Sequence, residues 1–268
     1  MKCDFHMHSA FSGDSDASMV SMILRAIDLG LDTICFTEHY DEDYPDGEED
    51  FSLDTDTYYK TLCSLKKQYC SQIDIRFGVE LGMQSRLEDM YTKYIQSYPF
   101  DFIIVSQHVL DHADPYYPIF WKDKEPSDVI RHYFQETLCN LKLMREYDTL
   151  AHLDYIIRYA GTGYTSYSYE QYSDVIDPIL HYLIEQGKCL EVNSAGFKYG
   201  LGHPNPCESV LRRYRQLGGE SITIGSDSHK PEHLAYDFVA LQNLLTDIGF
   251  RYYCTFHKRK PEFRKLSE

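Results

Sequence analysis

The sequence predicts an α/β barrel assembled from seven βα units in a single domain, residues 1–268. Short apolar runs rich in Ile, Val and Phe alternate with longer helix-like segments along nearly the whole chain, the rhythm of strands each followed by a helix. At 268 residues the chain has the length of one α/β barrel. No internal repeat or low-complexity linker divides it. Polar residues with metal-ligand chemistry recur where each apolar run ends, and in a parallel barrel all those ends open on one face.

Taken in order, the strands are expected to end near His6, Thr37, Val79, Ser106, Ala151, Val192 and Gly225. Residues 18–29 place Val20, Ile23, Leu24 and Ile27 on one helical face, and Gly30 supplies the stop. Residues 126–146, 169–186, 206–217 and 231–248 also read as helices, several opening on Pro at the first turn. Two connections are longer than ordinary βα loops. Residues 40–57 carry nine acids and no Lys or Arg, and residues 161–172 are rich in Gly, Ser, Thr and Tyr. The acidic run reads first as solvated surface and second as a lid.

Composition narrows the partners. With 26 Lys and Arg against 42 Asp and Glu, the net charge is −16, a field that repels nucleic-acid phosphates and anionic membranes. A phosphate ligand then needs local positive charge, which bound divalent metals supply in an acidic pocket. The eight Cys are scattered with no CxxC pair, which fits reduced thiols. The absence of an apolar leader and of any run near ~18 apolar residues leads us to expect a soluble, cytoplasmic protein with no membrane partner. Oligomeric state is not encoded legibly.

The strand-end residues are His6 and His8, Glu38-His39, Glu80, His108, His152, Asn193, and Asp227 with His229. Singly, each has an ordinary structural explanation. In Asp4-Phe5-His6-Met7-His8 the period of two points both imidazoles to one side, as chelation of one ion requires. Glu80 ends an apolar strand and is costly to bury unless paired or coordinated. Asp227 and His229 repeat the two-residue spacing with an oxygen and a nitrogen ligand, a set that suits Zn, Mn or Fe over Mg or Ca. Arg158, six residues past His152, and Lys198, five past Asn193, are the cations in the right loops to hold a phosphate. No Gly-x4-Gly-Lys-Ser/Thr cradle occurs, which argues against a P-loop NTPase.

The ordered set Asp4-Phe5-His6-Met7-His8-Ser9, Phe36-Thr37-Glu38-His39, Gly78-Val79-Glu80, Ser106-Gln107-His108, Ala151-His152-Leu153-Asp154, Glu191-Val192-Asn193-Ser194 and Gly225-Ser226-Asp227-Ser228-His229 resembles the polymerase-and-histidinol-phosphatase (PHP) family, in its histidinol-phosphatase branch, over essentially the whole chain. The resemblance implies a distorted seven-stranded (β/α)7 barrel holding two or three divalent metals. It assigns His6, His8, Glu80 and Asp227 to a first site. A second would use His39 and His229 with Asp14, preferred to Asp16 on spacing, and a third would share Glu80 with His108 and His152. Glu80, Asp227 and His229 are the expected catalytic residues, and Arg158, Lys198 and Asn193 the substrate-binding ones. The family pattern has Arg where this chain has Lys198.

Clustered divalent ions lower the pKa of a bridging water, making hydroxide available for in-line attack on phosphorus. The implied activity is hydrolysis of L-histidinol phosphate to L-histidinol and phosphate in histidine biosynthesis. The alternatives are a PHP phosphoesterase acting on another small monoester or a nucleotide, and a non-catalytic PHP-like module. Because histidinol phosphate carries an amine and an imidazole, the acids Asp41, Glu42, Asp43 and Asp46 are candidates for a complementary pocket wall.

Overall fold

The computed structural model describes residues 1–45, 51–161 and 167–266. Its frame is one parallel sheet of seven strands in sequential order: β1 (Cys3–Asp4), β2 (Thr33–Tyr40), β3 (Asp74–Gly82), β4 (Phe102–Ser106), β5 (Thr149–Leu150), β6 (Cys189–Asn193) and β7 (Ile222–Gly225). β2, β4, β6 and β7 are buried at nearly every position, as strands covered on both faces must be. The sheet closes on itself where the Phe5 N–H donates to the Ile224 carbonyl at 3.0 Å, the Asp227 N–H to His6 at 2.8 Å and the His8 N–H to Ser228 at 2.9 Å. That closure sets His6 and His8 directly against Asp227.

Around the sheet lie α1 (Met19–Asp28), α2 (Thr55–Tyr69), α3 (Glu88–Ser97), α4 (Pro126–Leu143), α5 (Tyr169–Glu185), the single turn α6 (Ala195–Lys198), α7 (Glu208–Gln216) and α8 (Phe238–Ile248). α1 forms where expected, capped by Ser18, whose side chain accepts from the Ser21 N–H. Its buried face is rotated, however: Met19, Met22, Ile23 and Ala26 are inside, while Val20 and Leu24 are 39% and 51% exposed. Those four follow the i, i+3, i+4, i+7 stripe once Met and Ala are counted as apolar.

The helix expected over residues 231–248 is broken. A short 3-10 turn (Pro231–His233) is separated from α8 by positive φ at Ala235 and Asp237. There the Ala235 N–H donates to buried Asp4 Oδ2 at 3.0 Å, a tertiary bond that outcompetes helical continuity. A feature not foreseen is the C-terminal hairpin of β8 (Tyr252–His257) and β9 (Lys260–Lys265). Its tip meets the residues just before β4 and β5. The Lys258 N–H donates to Asp101 Oδ1 at 2.9 Å, and Arg259 Nε to Asp148 Oδ2 at 2.5 Å. The hairpin therefore plugs the barrel end opposite the ligand-bearing one. Among the described residues, no helix is long and apolar enough to cross a membrane.

Candidate metal centre

Each strand delivers its last residues to the open end of the barrel, and the side chains converge on one carboxylate. Glu80, fully buried near the end of β3, presents Oε2 to His6 Nε2 at 3.0 Å, His8 Nε2 at 3.3 Å and His39 Nδ1 at 3.3 Å. Its Oε1 faces His152 Nε2 at 3.0 Å and His108 Nε2 at 3.2 Å, and accepts from Ser106 Oγ at 2.5 Å. Asp227 Oδ1 lies 3.5 Å from His8 Nε2, 3.7 Å from His6 Nε2 and 3.6 Å from His229 Nδ1. Asp14 at the rim places Oδ2 2.9 Å from His229 Nε2 and 3.6 Å from His39 Nε2. Asp14 and Asp16, the alternative on spacing, are both exposed, and Asp14 is the one that reaches the two imidazoles.

These pairs fit cations better than hydrogen bonds. His8 Nε2, His39 Nδ1 and His229 Nε2 are buried and have no hydrogen-bond partner despite the carboxylate oxygens beside them. Donor atoms that share a tetrahedral ion at about 2.0–2.1 Å stand about 3.3 Å apart, the spacing seen around Glu80. Overlapping donor groups result, among them His6 with His8 and Glu80, His8 with His39 and His229, Glu80 with His108 and His152, His6 with His152 and Asp227, and His39 with Asp41 and His108. The mixture of imidazole and carboxylate suits divalent metal ions of the Zn, Mn and Fe type.

A second layer fixes which nitrogen each ring presents. His6 Nδ1 donates to Glu191 Oε1 at 2.6 Å, and His108 Nδ1 to Asp41 Oδ2 at 2.6 Å, leaving both Nε2 atoms forward. Ser12 gives its one hydroxyl proton to Glu38 at 2.6 Å, so its oxygen accepts from the His39 N–H at 3.0 Å and from His8 Nδ1 at 3.1 Å. His8 is thereby held as the Nδ1–H tautomer, with its Nε2 lone pair facing Glu80 and Asp227. Glu38 also accepts from the Ser9 backbone and hydroxyl. Its position on β2 points it away from His39, so it braces the site from behind.

Close backbone approach is part of the design. A Cβ on Gly225 would come within 2.2 Å of the His6 Cβ and 2.7 Å of Glu191 Oε1, and one on Gly82 within 2.5 Å of the Asp41 carboxyl carbon. His152 and Asp227 adopt positive φ, at 24° and 50°. This strain is held by the bond from the His152 N–H to Glu191 at 3.1 Å and from the Asp227 N–H to His6.

Burial opposes charge on Glu80, but His6, His39 and His108 hold its carboxyl well below the usual range. Burial likewise opposes Asp227, and His6, His8 and His229 hold it well below. The His8 ring is pushed down by burial, then by His39 and His229. The site is thus a set of buried anions facing nitrogen donors, which divalent cations neutralise.

The expected substrate-binding residues separate. Arg158 lines the cleft, its guanidinium carbon 3.7 Å above the Tyr199 ring, 4.8 Å from Tyr159 and 5.0 Å from Tyr155, and it donates to the Tyr159 hydroxyl. Lys198 donates to the Asp227 carbonyl at 3.1 Å. Asn193 is fully buried, bonding Glu191 Oε2 through Nδ2 at 3.0 Å and accepting from the Ala195 N–H at 2.9 Å. It stands behind the ligands as a brace for Glu191. Of the acidic loop, Asp41 enters the site, Asp43 pairs with Arg86, and Glu42 accepts from the Tyr40 hydroxyl. Asp46 lies outside the described residues. Sequence reasoning assigned no role to Ser12 or Ser106 and none beyond a motif to Glu191; a buried carboxylate two residues before Asn193 was the one available signal for Glu191.

Comparison with known proteins bears on the family and the fold. The PHP domain pattern matches residues 4–195. The chain is 31% identical over 267 residues to the histidinol-phosphatase of Lactococcus lactis, covering 99% of this chain and 98% of the relative. It is 34% identical over 244 residues to a protein of Clostridium acetobutylicum named "Probable histidinol-phosphatase", covering 89% of this chain and 90% of the relative. A crystal structure of histidinol phosphate phosphatase from Lactococcus lactis, complexed with zinc, L-histidinol and phosphate, matches the fold with a TM-score of 0.91 at 30% identity, covering 97% of this chain and 98% of that chain.

Proposed function

The chain belongs to the PHP domain family, and from that membership we propose that it hydrolyses L-histidinol phosphate to L-histidinol and phosphate. The observation that carries the reading is the convergence of five imidazoles on the buried Glu80 carboxylate beside a cleft that also holds Arg158. Likeness to the Lactococcus lactis enzyme, whose structure contains both products and zinc, supports the substrate and favours zinc.

Three groups would hold the metals: His6, His8, Glu80 and Asp227; Asp14, His39 and His229; and Glu80 with His108 and His152. Bound divalent ions supply Lewis acidity and a water acidified towards neutrality. The chain's own residues do the rest. Glu80 and Asp227 keep the donor groups in one rigid frame, and Glu191 and Asp41 hold the protons of His6 and His108 away from the ligand nitrogens. Arg158, already oriented by three tyrosine rings, offers a preset fork to phosphoryl oxygens. Lys198 braces the Asp227 turn and adds positive charge beside it.

Steady-state hydrolysis of a panel of phosphomonoesters tests the reading. L-histidinol phosphate is expected to give the highest kcat/KM, above phosphoserine, glycerol phosphate and nucleoside monophosphates. A flat profile would refute the substrate, and no turnover of any monoester by metal-loaded protein would refute the class.

A further inference from the structure

Two residues past His152, Asp154 is fully buried and does not line the cleft. A carboxylate in that setting is costly unless both oxygens are used. Both are: Oδ1 accepts from Asn205 Nδ2 at 2.6 Å and Oδ2 from the Cys207 N–H at 2.8 Å. Asp154 is the N-cap residue of a 3-10 turn, Tyr155–Tyr159, that carries Arg158, yet its side chain caps nothing there. An Asp at that place ordinarily serves its own turn. This one serves donors 51 and 53 residues away.

The segment it grips, residues 203–207, is also the seat of α6. A Cβ on Gly196 would fall 2.2 Å from the His203 carbonyl oxygen and 2.9 Å from Asn205 Oδ1, so α6 lies directly on that segment. Asn205 is in turn fixed to the end of β6 by a reciprocal pair. The Asn193 N–H donates to the Asn205 carbonyl at 2.8 Å and the Asn205 N–H to the Asn193 carbonyl at 2.9 Å. α6 is followed by Tyr199, whose ring centre lies 3.7 Å from the Arg158 guanidinium carbon. Arg158 and its stacking platform therefore come from two separate turns, and residues 203–207 hold both: α6 by direct packing, the Arg158 turn through Asp154. A single 3-10 turn is weak by itself, so an anchor at its first residue bears on where Arg158 points.

We propose that Asp154 is a positioning residue: by tying the Arg158 turn to the segment that seats α6, it sets the guanidinium over Tyr199 and so aims its fork into the cleft. Asp154 acts through Arg158 and touches neither phosphate nor the donor groups around Glu80. Displacing a binding group by about 1 Å costs up to ~10²-fold, so loss of the anchor is expected to weaken the grip of Arg158 without abolishing it. The inference deepens the proposed function and rests on its assignment of Arg158 to the phosphoryl group.

The test is the Kd of inorganic phosphate for the zinc-loaded protein, measured by titration calorimetry together with metal content. Asp154→Asn keeps the shape and one acceptor but sets an NH2 group against a donor. It is expected to raise Kd about tenfold at unchanged metal content. In an Arg158→Ala background the same substitution should change Kd by less than about twofold, because the group it acts through is gone. Combining Asp154→Asn with Asn205→Asp restores both bonds with donor and acceptor exchanged across the pair, and should recover most of the loss. If Asp154→Asn does not fold, Asn205→Ala, which removes only the donor to Oδ1, takes its place in the cycle with the same expectation. An unchanged Kd, a loss that persists in full without Arg158, a loss that follows falling metal content, or no recovery in the exchanged pair would each overturn the inference. A protein that shows the expected cycle on phosphate but does not hydrolyse L-histidinol phosphate loses the substrate reading and keeps this one.

Discussion

Glu80→Gln is expected to lower kcat/KM for phosphomonoester hydrolysis by on the order of 10³-fold while leaving the fold intact. The substitution is isosteric, so the packing of β3 is unchanged. Its chemistry is not: one carboxylate oxygen becomes an NH2 group, a donor that turns towards imidazole nitrogens and cannot ligate a cation. Five histidines face the two Glu80 oxygens at 3.0–3.3 Å, so no rotamer of Gln leaves both sides with an anionic ligand. Loss of several kcal/mol of charge stabilisation at ~1.4 kcal/mol per tenfold gives the expected magnitude. Circular dichroism of the variant should match wild type, and its metal content should fall.

Arg158→Ala is expected to cost on the order of 10²-fold in kcat/KM, the scale of removing one preorganised donor to a developing oxyanion. Arg158 is the cleft-lining cation held on all sides, by the rings of Tyr155, Tyr159 and Tyr199 and the Tyr159 hydroxyl. Arg158→Lys should recover only part of the loss, since an ammonium offers a point charge where the planar fork stacks and bonds in two directions. Steady-state kinetics on L-histidinol phosphate checks both variants. Full recovery by Lys would mean that Arg158 acts by charge alone.

What the sequence made legible was whatever period and residue type encode. β2, β3, β4, β6 and β7 are runs of buried apolar residues, and imidazoles and carboxylates recur at or just past the seven strand ends, so His6, His8, His39, Glu80, His108, His152, Asp227 and His229 could be named as candidates before any contact was known. What stayed hidden depends on partners distant in sequence. Glu191 and Asp41 look like any strand-end and loop acid until His6 and His108 are found 2.6 Å away. Asn193 shares the strand-end pattern of the ligands, yet its amide is spent on Glu191 and the Ala195 N–H. The hairpin of β8 and β9 turns through positive φ at Lys258 and Arg259, where Gly or Asn is the usual signal. Contacts to Asp101 and Asp148 impose that turn in place of local preference. The break before α8 has the same origin in buried Asp4.

We propose Glu80 as the shared ligand of a multinuclear centre. Metal content and histidinol-phosphatase activity measured on the same preparations of wild type, metal-stripped wild type and Glu80→Gln test it most directly. Wild type should carry more than one divalent ion per chain, with activity lost on stripping and regained on adding zinc or manganese, and the variant should regain neither full occupancy nor activity. Full activity in metal-free protein, or in Glu80→Gln, would contradict it.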